Sequence, residues 1–175
     1  MSGHAITPHR ERGATYTETE DINITLAAAE QLLRQVHSGE EAYEVACTLI
    51  EKTATISSLE GQPFFQKTEE YLLCALIDYL RLYGRPSKMT VQSIYGFLAK
   101  CRINNDAYQE WNFMSRMRPN DPEPESELDR CFQKAAKRNN ESMAVMAYGN
   151  FKGGLLEDSV YIDLIFRLQT LLEQE

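Results

Sequence analysis

The sequence feature that most constrains the fold is the stretch 62–83, QPFFQKTEEYLLCALIDYLRLY, which predicts one long and unusually apolar helix. Pro63 lacks an N–H and has a fixed φ, so it suits the first turn of a helix. Gly84 and Pro86 predict where the helix ends. Apolar residues cover more than one side of it, which is typical of a helix at the centre of a core. We therefore predict that the rest of the chain packs around this stretch.

Charged residues within the same stretch argue against a membrane span, because burying them in lipid is costly. They are Glu69, Glu70, Asp78 and Arg81. We interpret the adjacent acids Glu69 and Glu70 as solvent-facing charges near a helix N-terminus, where negative charge suits the helix dipole. No other stretch reads as a signal peptide or a membrane anchor. We expect a soluble protein in the cytoplasm, with no direct membrane insertion.

Length and charge indicate one acidic globular domain. The chain has 175 residues, of which 43% are hydrophobic, and this suffices for a single core. Its net charge of −8 favours solubility and argues against a surface made mainly for nucleic acid. Residues 1–20 are polar and lack periodicity, so we predict a flexible tail followed by a single domain over 21–175.

Apolar residues at helical spacing predict further helices on both sides of the central one. Asp21 or Asn23 is expected to cap the first helix, and Gly39 to follow its end; Thr90 is expected to cap a later one. No segment alternates between apolar and polar residues as strands do, so we predict an all-α, compact bundle of about seven or eight helices. The predicted ranges are 21–37, 40–56, 62–83, 91–102, 107–117, 126–138, 140–152 and 156–173.

The four cysteines indicate neither a disulfide framework nor a zinc site, because no two of them stand close together in the sequence. Each falls inside a helical pattern beside apolar residues. We expect free thiols, buried or half-buried, in a reducing compartment. The residues concerned are Cys47, Cys74, Cys101 and Cys131.

Motifs of enzyme chemistry are missing from the sequence. It has no phosphate-binding Gly-x-x-x-x-Gly-Lys-Ser/Thr loop, no His-Glu-x-x-His metal motif and no Gly-x-Ser-x-Gly nucleophile. We therefore expect a binding or scaffold domain without catalytic activity, cofactor or metal.

The segment 62–77, QPFFQKTEEYLLCALI, resembles the Asp-Pro-Phe-Trp-x-Lys-x-Glu…Leu-Leu-x-Ala-Leu segment of conjugative coupling proteins. These are the type IV secretion ATPases of the VirD4/TraG class, and the segment opens the core of their all-α domain. Gln62 and Phe65 replace the family's Asp and Trp, and the Walker A and Walker B segments of the ATPase are absent. The likeness covers about 40–170. Its other similar segments are 42–53, 89–98, 127–132 and 140–152.

The resemblance implies a substrate-recognition domain that is non-catalytic in isolation. In the family this domain lies at the cytoplasmic mouth of the ATPase, at the inner face of the cell membrane. The implied partners are the ATPase domain and either a secreted protein substrate or a relaxase–DNA complex. Separately, the cations Lys134, Lys137 and Arg138 predict a weak DNA contact that weakens steeply with salt. The alternative is a helical adaptor unrelated to secretion.

Exposed aromatic and basic groups are the expected binding residues, because Trp and Arg are enriched at binding hot spots. Lys134, Lys137 and Arg138 also suit a helix C-terminus, because cations there interact favourably with the helix dipole, so a purely structural role for them stays open. We also expect Trp111, Phe113, Met114 and Met117 to pack beneath a loop. The candidate binding residues are Trp111; Arg116 and Arg118; and Lys134, Lys137 and Arg138.

Overall fold

The computed structural model describes residues 23–54, 63–102, 105–154 and 157–174, and these ranges contain eight α-helices and no strand. The predicted all-α bundle of about seven or eight helices is confirmed, whereas the predicted tail, 1–20, lies outside the described residues. A short 3-10 helix, Pro86–Lys88, stands between α3 and α4. The helices are α1 (Leu26–Arg34), α2 (Gly39–Lys52), α3 (Pro63–Tyr83), α4 (Val91–Ala99), α5 (Asp106–Met114), α6 (Glu127–Arg138), α7 (Met143–Lys152) and α8 (Glu157–Leu172).

Helix α3 is the centre of the fold, as its apolar pattern predicts. Every residue from Leu72 to Asp78 is at most 1% exposed. This helix packs against α2, α4, α7 and α8, while α4 also packs against α8 and α6 against α7. Because α3 has neighbours on several sides, an apolar surface wider than one stripe is what its position requires.

Stacked aromatic rings attach α6 to the core. The ring centroids of Phe132 and Tyr148 lie 4.0 Å apart in a stacked arrangement. Tyr79 of α3 lies 5.2 Å from Phe132 and 5.2 Å from Phe97. These contacts bring α3, α4, α6 and α7 together at one aromatic cluster, which explains how a helix with few apolar residues is held in place.

The starts of α1 and α2 differ from those predicted. Thr25, not Asp21 or Asn23, caps α1, and its side chain accepts a hydrogen bond from Ala28 N at 3.1 Å. Gly39 was expected to end a helix but is the first residue of α2, which Ser38 caps. A Cβ atom at Gly39 would lie 2.6 Å from the Cβ of Met143. The glycine is therefore needed for a close approach of α2 to α7.

A buried carboxylate of α3 caps the N-terminus of α7. Asp78 is fully buried, and its Oδ2 accepts a hydrogen bond from Ala144 N at 2.8 Å. Its Oδ1 accepts another from Arg81 Nε at 2.7 Å. Ser142 caps the same helix by accepting from Val145 N at 3.3 Å. The first turn of α7 is thus completed partly by its own cap and partly by the central helix.

The predicted state of the cysteines is confirmed, since all four lie in the described residues as free thiols. Cys74 and Cys101 are buried, and Cys47 and Cys131 are half-buried. Burial raises the pKa of Cys74 and of Cys101 to about 12, so both thiols stay protonated at neutral pH.

Candidate functional site

Two of the predicted binding residues, Trp111 and Arg118, line one surface cavity of about 350 Å³. The cavity lies between α5 and the proline-rich loop that follows it. Trp111 Nε1 donates a hydrogen bond to the carbonyl oxygen of Asp121 at 3.1 Å. This bond fastens the loop to the helix, and Pro122 and Pro124 form part of the cavity wall. Trp111 therefore shapes the cavity rather than standing free in solvent.

Apolar side chains are exposed to solvent at the end of α5 and in the turn that follows it. Phe113 is 79% exposed and Met117 is 69% exposed, so the expectation that they pack beneath a loop is wrong. None of the residues of α5 is buried. At about 100° per residue, Phe113 points well away from Trp111, so only one side of the helix can face the loop. Met114, in contrast, lines the cavity as expected.

The two predicted arginines of this region are close in sequence to the exposed apolar side chains of Phe113 and Met117. Arg116 is exposed between Phe113 and Met117. The side chain of Arg118 is 64% exposed, and its Nη1 lies 4.0 Å from Asp121 Oδ2. An ion pair of that length and exposure contributes little to stability, so the guanidinium stays available for other contacts.

The predicted basic cluster at the C-terminal end of α6 lies apart from this region. Lys134, Lys137 and Arg138 are all exposed, and none of them lines the cavity beside Trp111. The guanidinium of Arg138 lies 5.3 Å from the ring centroid of Tyr83, which places the end of α6 beside the end of α3. The structure therefore divides the predicted residues into two surfaces.

A further cavity, of about 310 Å³, separates α5 from α8 and was not predicted. Arg102 lies against it, 5.1 Å from the ring centroid of Tyr108 and 4.7 Å from that of Tyr161, and it pairs with Asp158. Although burial alone would lower the pKa of Arg102, the charge of Asp158 raises it. Ile162, which lines this cavity, is 63% exposed. Phe166, one helical turn further along α8, is 54% exposed.

The acids of the central helix are buried, which corrects their interpretation as solvent-facing charges. Glu69 is fully buried and Glu70 is 8% exposed. Arg167 Nε of α8 lies 2.7 Å from Glu69 Oε2 and donates a hydrogen bond to Asp163 Oδ2 at 3.3 Å. Burial and the neighbouring Asp163 raise the pKa of Glu69 to about 9.

Sequence spacing offered a signal for this cluster. Asp163 and Arg167 stand four residues apart, within the apolar run of α8 that includes Leu164 and Leu168. Charges at that spacing lie on one face of a helix, and here the face is the buried one. The side chains of Asp163, Arg167 and Glu69 are each at most 5% exposed, so this cluster lies inside the bundle.

The described part of the chain contains neither a cluster of metal ligands nor a membrane-spanning helix. No group of three or more His, Cys, Asp and Glu side chains there is arranged to hold a metal ion. Within the same ranges, no helix has the length and apolar character needed to cross a bilayer.

No protein-family model, curated protein or solved structure matches this chain. The resemblance to coupling proteins therefore depends on the residues quoted above, and what it implies is a proposal.

Proposed function

We propose that this chain is a protein-binding domain: the substrate-recognition all-α domain of a type IV secretion coupling protein. The observation that carries the proposal is the solvent exposure of apolar side chains on α5, in the turn that follows it, and on α8. Phe113, Met117, Ile162 and Phe166 are each more than half exposed, at 79%, 69%, 63% and 54%. Exposed apolar side chains grouped beside polar rims are typical of surfaces that bind other proteins.

The charge and the apolar character of the surface formed by Phe113 and Met117 (the α5 surface) favour a protein partner over a nucleic acid. Arg116 and Arg118 are the cations closest in sequence to Phe113 and Met117, and the chain as a whole carries a net charge of −8. A negative molecule repels a phosphate backbone at long range, whereas apolar contacts with a partner protein are insensitive to that repulsion. The buried carboxylates, which no substrate can reach, give no support to catalysis.

The resemblance supplies the rest of the proposal. The similar segments include residues of the buried core, such as 72–77, so they support a shared architecture. On that basis the partners are an ATPase domain of a coupling protein and either a secreted protein or a relaxase–DNA complex. The site of action is the cytoplasm, at the inner face of the cell membrane.

Affinity capture from the native host tests the proposal. The whole chain serves as bait, beside a variant carrying Phe113→Ser and Met117→Ser. The matched control carries Leu82→Ser and Met146→Ser, because those residues are 39% and 51% exposed on other helices. We expect the bait and the control to retain a secretion ATPase or its substrates, and the α5 variant to lose the substrates.

Two outcomes of this experiment contradict the proposal. Capture of proteins with no connection to secretion would favour a helical adaptor instead. Equal capture by all three baits would show that the α5 surface is not the binding surface.

A second candidate function is a weak contact with DNA through Lys134, Lys137 and Arg138. The exposure of all three on one helix end favours it. If they bind phosphates, affinity for a duplex oligonucleotide falls steeply as the salt concentration rises, and charge reversal at Lys134 and Lys137 removes it. Binding that does not depend on salt, or no binding at low ionic strength, rejects this contact.

A further inference from the structure

A cavity of about 500 Å³ lies at the end of the bundle where α1 and α3 finish and the chain turns into α4. Its apolar lining consists of Val36, Leu80, Pro86 and Met89. Val36 and Met89 are only 6% and 7% exposed, so they form the floor. A cavity of this size is within the range of roughly 300–1,000 Å³ that is usual for ligand sites.

The rest of the cavity lining is basic. It consists of Arg34, His37 and Arg81, and none of the lining residues is acidic. Arg34 Nη2 lies 3.4 Å from Glu30 Oε2, and Arg81 Nη2 lies 2.7 Å from Asp78 Oδ1. A guanidinium has five N–H donors, so each arginine keeps donors for a second anion. Two contacts with the buried carboxylate of Asp78 hold the Arg81 side chain in place, which reduces the entropy that a ligand must remove, whereas the Arg34 side chain is 67% exposed.

The chain around the cavity adds further positive charge. Between Asp78 and Asp106 the sequence contains no Asp or Glu. Two further cations are close in sequence to the lining residues Pro86 and Met89: Arg85 precedes Pro86 and Lys88 precedes Met89, and both are exposed. Neither takes part in the ion pairs found among the described residues. Three acids contact the lining residues: Glu30 and Asp78 pair with the lining arginines, and Glu41 Oε2 accepts a hydrogen bond from His37 N at 2.6 Å. The four cations Arg34, Arg81, Arg85 and Lys88 outnumber them, although the net charge of the whole chain is −8.

We propose that this cavity binds a short acidic segment of a partner protein. One aliphatic or aromatic side chain of the segment occupies the apolar floor, and neighbouring Asp or Glu carboxylates contact Arg34, Arg81, Arg85 and Lys88. The inference rests on the proposed protein-binding function and names the chemistry of what is bound. The surface on α5 then makes separate contacts with the same partner or with another one.

The lining favours a peptide over a nucleic acid. Single-stranded nucleic acids bind by stacking their bases on aromatic rings along a basic groove. The residues of this cavity floor are aliphatic, and the only ring with π electrons in the lining is that of His37. An aliphatic floor with a basic rim instead complements an apolar side chain flanked by carboxylates.

Methionine methyl NMR of the full chain tests the proposal directly. The probe is the capped peptide Gly-Asp-Glu-Leu-Phe-Asp-Glu-Gly. We expect it to shift the methyl resonance of Met89, at the cavity floor, and to leave those of Met114 and Met117 unchanged. Replacing its acids by Asn and Gln, or its Leu-Phe by Ser-Ser, should weaken binding by about tenfold or more.

Two variants with the same change in net charge locate the site. Arg85→Glu with Lys88→Glu should weaken peptide binding by about tenfold or more, while Lys134→Glu with Lys137→Glu should change it by less than about twofold. All four residues are exposed, so both variants should keep the helical circular dichroism of the parent.

Three results overturn the proposal. One is the absence of a Met89 shift with the acidic peptide, and another is an equal loss of affinity in the two variants. The third is a single-stranded oligonucleotide that shifts Met89 more strongly than the peptide does. If these occur while host proteins are still captured through Phe113 and Met117, only this inference fails. Loss of all capture rejects the proposed function itself.

Discussion

Arg167 Nε of α8 lies 2.7 Å from Glu69 Oε2 of α3, with 5% of the arginine side chain and none of the glutamate exposed. Arg167 Nη1 also donates hydrogen bonds to Ile50 O and to Thr53 Oγ1, each at 3.0 Å. One guanidinium therefore connects α8, α3 and the end of α2. Arg167 Nε donates its hydrogen bond to Asp163, so its contact with Glu69 is a close approach of the two side chains and not an aligned hydrogen bond.

Replacing Arg167 by Met should lower the free energy of unfolding by about 3–5 kcal/mol, because buried polar partners lose their donor. Urea denaturation followed by circular dichroism measures this loss. Arg130→Met is the matched control, since the side chain of Arg130 is 59% exposed and its pair with Glu125 spans 3.5 Å. The control should lose less than about 1 kcal/mol. Similar losses in both variants would show that the buried contacts contribute little.

Stability should depend on pH through Glu69, whose pKa rises from 4.5 to about 9 on folding. Between these values the folded chain keeps the proton and the unfolded chain releases it, so the free energy of unfolding falls as pH rises. The slope from this group is at most about 1.4 kcal/mol per pH unit. Glu69→Gln should remove that slope, which denaturation series from pH 5 to pH 9 measure. Parallel curves for the two proteins would rule out this assignment.

Leu76→Asp should unfold the domain, because Leu76 is fully buried in the central helix and a carboxylate there has no partner. Leu73→Asp should do the same, since Leu73 is 1% exposed. Leu82→Asp provides a control on the same helix, because Leu82 is 39% exposed. Far-UV circular dichroism and thermal melting separate the cases. A cooperative melt of the Leu76 variant near the parent temperature would contradict the central position of α3.

Trp111→Phe should free the loop after α5 while changing global stability by only about 1 kcal/mol, the usual net value of one hydrogen bond. The phenyl ring keeps most of the packing but cannot donate to Asp121 O. Amide hydrogen exchange over 118–125 should become faster. Phe113→Ser is the control and should leave that exchange unchanged, since Phe113 is 79% exposed. Unchanged exchange in the Trp111 variant would show that the prolines alone hold the loop.

The sequence predicted the central helix well because its signals are local. Helix α3 begins at Pro63 and ends at Tyr83, as the proline and the following Gly84 predict. Thr90 caps α4 as predicted, and its side chain accepts a hydrogen bond from Ser93 N at 3.1 Å. Helix caps and apolar periodicity depend on residues within one or two turns, so a single sequence contains them.

Contacts between distant segments could not be predicted in this way. The burial of Glu69 depends on Arg167, almost a hundred positions later in the sequence. The need for glycine at position 39 likewise comes from the close approach of Met143. The candidate surfaces were predicted only in part: Trp111 and Arg118 do line one cavity, but the cavity around Val36 and Met89 is assembled from three separated segments. Nothing in the local pattern brings such segments together before the fold is known.

The capping of α7 by Asp78 makes the folding of two helices interdependent. Helix α7 contains Gly149 and is only ten residues long, so by itself it is marginal in water. Its N-terminal amide at Ala144 finds an acceptor only when α3 is already in place. A synthetic peptide spanning 139–154 should therefore be largely unstructured alone. In the intact chain, α7 should exchange its amide protons only when α3 opens with it, as one cooperative unit.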